Sequence, residues 1–215
     1  MTQRDARKIM GNNFIGIDDV ARYLRISISK KTHSILQQIP YSKITLQTLK
    51  DNHILFPGVS EDNKGNPITI MSIRDTFGTD SDNQPCFYPQ HWYDDEVFAK
   101  NKTCTLRWYL ISKSTIENSS DKTYGFQETL VAENEERPSA IELIYLTILS
   151  YHINGSPRIL ESDKVWCRDG VHEFAKVWVG RFNRVGLVIG AHNPNQLNTG
   201  IGIITSRRPE FLYSP

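Results

Sequence analysis

Residues 138–154, PSAIELIYLTILSYHIN, limit what the rest of the chain can fold into. Ser139 followed three residues later by Glu142 is a capping-box start, in which two side chains satisfy the free backbone N–H groups of a helix N-terminus. Ile141, Ile144, Tyr145, Ile148 and Leu149 recur at helical spacing, and Asn154-Gly155 supplies a stop. The apolar face is wide, so the segment reads as the principal core helix and demands a sheet to lie against. Residues 106–113, LRWYLISK, offer one strand of it. Trp108 and Tyr109 fall on opposite faces by the two-residue period, and apolar residues on both faces predict a central strand.

The C-terminal part offers more sheet. Short β-rich runs at 165–167, 177–182, 186–189 and 201–205 alternate with polar, glycine-bearing connectors, which reads as a small antiparallel meander. Gly186, Gly190, Gly200 and Gly202 stand between strands, where turn geometry explains them better than a nucleotide-binding fingerprint. The fold class expected is therefore α+β.

Upstream, the chain start reads as disordered, followed by three short helices: 17–24, 29–39 ending before Pro40, and one capped by Ser42 that carries Ile44, Leu46 and Leu49. Together they predict a small helical N-terminal subdomain over 1–52, without the basic recognition helix of a DNA-binding motif. The main domain would span 53–215. It opens with HILFPGVS and ITIMSIRD, which flank the turn residues EDNKGNP and predict a hairpin. Residues 78–89 read as a surface loop, and residues 94–96 start a short helix with Val97, Phe98 and Ala99 turned inward. Glu133, Glu135 and Glu136 are read as charge stabilising the N-terminus of the long helix.

Composition excludes several function classes. Lys and Arg number 25 against 24 acidic residues, a net charge of +1, so no global field favours nucleic acid. No run approaches the roughly 18 apolar residues of a membrane span and no signal-peptide core is visible, so a cytoplasmic location is the default. Cys86, Cys104 and Cys167 are odd in number and lack metal-ligand spacing, which predicts free buried thiols. The six histidines are dispersed without metal-binding spacing, and neither a nucleophile elbow nor a phosphate loop is present. No catalytic residue, metal or cofactor is implied.

What stands out is the polar and aromatic decoration of the meander: Trp178, Arg181, Asn183, Arg184, His192, Asn193, Asn195, Gln196 and Asn198. Aromatics, Arg and amides suit a binding surface, giving contact area and hydrogen-bonding reach at low entropy cost. The plainer alternative is an Asn-Pro-Asn turn and a core tryptophan.

Four segments, ENEERPSAIELIYLTILSY, NGSPRILES, KVWVGRFNRVGLVI and GIGIITSRR, together resemble bacterial C-type-lectin-like proteins. These include formylglycine-generating-enzyme-like domains and the variable proteins of diversity-generating retroelements. The resemblance rests on Pro138 to Glu142, Val177 to Phe182 and Gly202 to Arg208, and covers roughly residues 53–208. It implies a lectin-like mixed domain whose C-terminal strands display ligand contacts, and so a non-enzymatic protein that recognises another protein or a glycan, with Trp178, Arg181, Arg184, His192, Asn193, Asn195 and Asn198 as the contacts carried over. His192-Asn193-Pro194 departs from the Trp-Asp-Asp of such relatives. The oxidase branch needs a C-terminal cysteine pair where only Cys167 stands, and the sulfoxide-synthase branch needs an iron-binding histidine motif that is absent. Rival readings are a degenerate enzyme of this group, a hydrolase with a distributed site, or a structural subunit of a phage or mobile element; a homo-oligomer is compatible with each.

Overall fold

The computed structural model describes residues 1–155, 158–171, 174–197 and 200–210. The long helix, α8 by chain order, spans Ala140–Asn154 and is capped reciprocally by Ser139 and Glu142. Residues 140 to 150 are buried without exception, as befits a helix apolar all round. Two four-stranded sheets and a set of short helices enclose it.

The first sheet orders its strands β1 (His53–Gly58), β2 (Arg107–Ser112), β8 (Ser206–Arg207) and β3 (Glu135–Glu136), all pairs antiparallel. The strand read from 106–113 is thus central, and its two faces do different work. Tyr109 and Phe56, paired across β1 and β2, stack on each other at 5.4 Å, and Phe56 stacks on Tyr145 of α8 at 6.2 Å. On the other face Trp108 stacks on Phe14 at 5.6 Å and donates its Nε1–H to the Leu36 carbonyl at 3.0 Å. That face carries the N-terminal helices α1 (Gln3–Met10), α2 (Ile17–Tyr23), α3 (Lys30–Ile35) and α4 (Lys43–Leu49).

The N-terminal helices are integral to the molecule. The buried apolar residues between Ala6 and Leu46, Phe14, Leu36 and Tyr41 among them, belong to the same hydrophobic cluster as Trp108, Tyr145 and Phe182. The Tyr41 hydroxyl donates to the carbonyls of Trp108 and Arg207 at 3.3 and 3.0 Å. No break in packing marks the boundary expected at 52/53. Helix α1 corrects the reading of a disordered start: Thr2 accepts from the Asp5 N–H, and Ala6 and Met10 are buried. Ser29 and Ser42 cap α3 and α4 as their sequence position suggests.

The hairpin expected over 53–75 does not form. β1 pairs with β2, and the second half is helix α5, Ile70–Phe77, capped by Thr69 and Ser72. Ile70, Ile73, Arg74 and Phe77 are its buried residues, a spacing of three and four that overrides the β-branched composition. Helix α6 (Val97–Lys100) buries Phe98 and Ala99 but leaves Val97 exposed. Glu136 forms an ion pair with Arg107 in the first sheet and does not flank a helix end.

The second sheet orders β6 (Gly186–His192), β5 (Ala175–Asn183), β4 (Lys164–Val171) and β7 (Ile201–Gly202). β4, β5 and β6 form the expected antiparallel meander. β7 pairs parallel to β4, and the chain then crosses to the first sheet as β8, so the last run feeds both sheets. Val177 and Val179 of β5 face α8 within the main core. The buried Asp169 carboxylate ties β4 to α8: it accepts from the Ala140 N–H and from Lys102, each at 2.6 Å.

Two outcomes follow from this packing. A chain lacking residues 1–52 exposes Trp108 and Leu55 and shows no cooperative unfolding transition by circular dichroism, whereas two independent units would leave 53–215 with its own. Burial depresses the proton affinity of His53 and of His152, the latter helped by Arg25. The unfolded chain then binds more protons than the native one just below about pH 6.5. Denaturant titrations should give stability that is full above that pH and declines as pH falls through it.

Candidate functional site

Strands β4 and β5 each carry the tripeptide Lys-Val-Trp, at Lys164–Trp166 and Lys176–Trp178. Alternation sends the valines toward α8 and the lysines and tryptophans to the opposite face. The antiparallel register sets Trp166 directly across from Trp178, with Lys164 and Lys176 at opposite flanks of the pair. Across the next ladder Trp178 meets Gly190, and Lys176 meets His192.

The tryptophans form a small cluster of their own with Ile201, separate from the main core, against which Tyr124 and Val188 pack. Tyr124, at the start of α7 (Tyr124–Glu128), meets Trp166 edge-on at 5.9 Å. His192, exposed, stands 5.8 Å from the Trp178 ring and 6.4 Å from the Trp166 ring. Gly190 is required by the close approach: a Cβ there would sit 2.2 Å from the Trp178 indole.

Trp166 and Trp178 are 1% and 8% exposed, and neither indole Nε1–H has an acceptor among the described residues. A buried donor left unpaired costs about 1–3 kcal/mol. Two such donors lie on one face, together with positive charge. The Lys164 ammonium is 5.7 Å from the Trp178 ring centre, and the Lys176 ammonium 5.2 Å from that of Tyr124. Burial, and then the neighbouring Arg181 charge, pull the Lys164 ammonium below the usual lysine range, with Asp121 opposing. The arrangement can accept a group that offers oxygen acceptors and an apolar face, with cations on both sides.

The residues named from the sequence separate into two places. Trp178 and His192 belong to this face. Asn183 and Arg184 lie at the far end of the β5–β6 hairpin, roughly 20 Å along the strand from Lys176, and Arg181, one residue past the Gly180–Lys164 pair, stands between them and the tryptophans. A bulge there puts Arg181 at φ +50° and swaps the alternation, so Arg181 points out and Phe182 turns into the core. The Asn183 side chain accepts from the Val185 N–H, closing the hairpin turn. The Arg184 carbonyl accepts from Gln84, and the Arg184 side chain is exposed. Asn193 accepts from the Asn195 N–H. It therefore shapes the turn after β6, on which Asn195 and Gln196 are exposed; Asn198 lies outside the described residues. The surface reading of Trp178 is corrected, because its ring is buried. Its Nε1–H is buried with the ring and has no acceptor among the described residues.

Sequence reading missed Trp166, Lys164, Lys176 and Tyr124. The repeated Lys-Val-Trp was the available signal, since identical alternation in two adjacent strands matches their outward faces.

Burial pushes the Cys167 thiol well up, with Asp169 adding to the effect, and all three cysteines are free and buried. Among the described residues no three His, Cys, Asp or Glu side chains could share a metal ion, and no helix is long and apolar enough to cross a membrane.

No family model, curated protein or solved structure matches this chain.

Replacing Gly190 by Ala should displace the Trp178 ring at a cost of about 1–3 kcal/mol, read as a lower denaturation midpoint. A red shift in tryptophan emission should accompany it. An unchanged midpoint and spectrum would mean that the indole is not held against the glycine.

Proposed function

We propose that this chain is a non-enzymatic binding protein. It recognises a protein or a glycan through the outward face of β4, β5 and β6, centred on Trp166, Trp178 and His192. The observation that carries the reading is the pair of adjacent, buried indole N–H groups without acceptors, flanked by Lys164 and Lys176. A ligand oxygen that accepts from them recovers the desolvation cost already incurred in folding. The exposed His192 and the amide-bearing turn at Asn193, Asn195 and Gln196 extend the same face. The lectin-like resemblance of the C-terminal segments supports the choice, because proteins of that kind present ligand contacts on these strands.

Trp178→Phe keeps an aromatic ring and removes only the donor and part of the ring area, and His192→Ala removes an exposed contact. The test screens the purified protein on a glycan array and a protein display panel, then measures both variants against any ligand found. The expected outcome is affinity lower by about tenfold or more for Trp178→Phe, one charge-assisted hydrogen bond or its equivalent, with little change in melting temperature. Ligands whose affinity neither variant alters would remove the site from this face. A ligand that the protein chemically converts would overturn the non-enzymatic reading.

A further inference from the structure

On the reading that the outward face of β4, β5 and β6 binds a partner, we infer that this partner is a protein segment in which Asp or Glu side chains flank an apolar one. The contacts that select it lie where α7, the first residues of β5 and the turn after β6 meet. The Tyr124 N–H donates to the Pro194 carbonyl at 3.2 Å and ties α7 to that turn. Lys122 and Lys176 hold their ammonium groups 5.6 Å from the Phe126 ring centre and 5.2 Å from that of Tyr124. Lys176 also stands opposite His192 in the β5–β6 ladder.

Among the described residues neither lysine enters an ion pair; Lys176 donates to the Arg168 carbonyl at 3.4 Å. Two carboxylates close to them in sequence are already engaged. Asp121 accepts from the Gly200 N–H at 2.8 Å, and Glu128 accepts from Arg137 at 2.7 Å. A cation held over a ring offers a carboxylate a fixed partner, so less side-chain freedom is lost when the pair forms. Apolar surface stands on the same two segments: Phe126 is 50% exposed and Leu197 63%. A segment that brings carboxylates to the lysines and an apolar side chain to Phe126 and Leu197 matches both. The rings themselves disfavour a glycan. A sugar stacks its C–H groups on an open aromatic face, but Trp166 and Trp178 are buried. Tyr124 carries the Arg137 guanidinium at 4.0 Å as well as Lys176, and Phe126 carries Lys122.

The test pans a phage-displayed library of linear random peptides on the full chain and measures the enriched peptides by fluorescence anisotropy. Enriched sequences should carry Asp or Glu beside Leu, Ile, Phe or Trp. Their affinity should fall by about tenfold or more in a Lys122→Glu, Lys176→Glu variant, persist in a Lys122→Arg, Lys176→Arg control, and weaken as salt rises. Both variants should keep the melting temperature of the parent. Neutral or basic enriched peptides, acidic peptides indifferent to the lysine changes, or a panning that enriches nothing would overturn the inference. If neutral peptides or a glycan bind and lose affinity with His192→Ala, the face remains the binding site and only the chemistry assigned to its partner falls. Ligands indifferent to the lysine, His192 and Trp178 changes alike would remove the site as well.

Discussion

Everything in this fold answers to one helix that has no polar side. α8 presents leucine, isoleucine or tyrosine in every direction over its buried length, and such a helix is stable in water only when covered completely. One sheet cannot do that. The chain uses the Tyr109 and Phe56 face of β1–β2 on one side and the Val177 and Val179 face of β5 on the other. Each sheet then acquires an outer face that needs its own solution. The first is covered by the N-terminal helices through Trp108, Phe14 and Leu36. The second is covered only in part, by α7 and the turn after β6, and it carries the candidate site.

The polar end of α8 shows how closely the two halves are tied. Glu142 is 1% exposed, yet it accepts from the Ser139 N–H at 2.8 Å and from Arg168 of β4 at 2.5 Å. Asp169, next along β4, accepts from the Ala140 N–H. Two carboxylates at a buried helix N-terminus are tolerable because the free N–H groups and the cations Arg168 and Lys102 meet them. The same contacts fix β4 relative to α8, and β4 sets the position of Trp166.

Much of this was legible in the sequence where a local rule and the tertiary demand agreed. The Ser139–Glu142 cap, the caps at Ser29 and Ser42, the central strand around Trp108 and the meander all formed, because local bonds and burial favoured the same state. Misreadings came where composition and period pointed apart. Residues 68–75 are rich in isoleucine and look β-like, but the Thr69–Ser72 cap and the spacing of Ile70, Ile73 and Phe77 make a helix. The union of residues 1–52 with the rest is invisible locally, since it depends on Tyr41 and Trp108, 67 positions apart. In the candidate site the strands were readable and their register was not. Without the pairing of Trp166 with Trp178, the residues at Arg181–Arg184 and those at His192–Gln196 look like one surface, although they lie at opposite ends of a hairpin.

The bulge at Arg181 explains why the sheet can afford a wet end and a dry middle. With regular alternation Phe182 would point outward beside Trp178 and extend an apolar strip along β5. The left-handed turn at Arg181 sends Phe182 inward against Tyr151 and puts an arginine outside. Gly180, where a Cβ would fall 2.0 Å from the Asp163 carbonyl, lets β4 close against the kink. The outward apolar cluster is thereby kept to Trp166, Trp178 and Ile201 with Tyr124 and Val188 against them, bounded by Arg181 and Lys164 on one side and by Lys176 and His192 on the other. A surface limited to buried rings with unmet donors and a charged border resists nonspecific association.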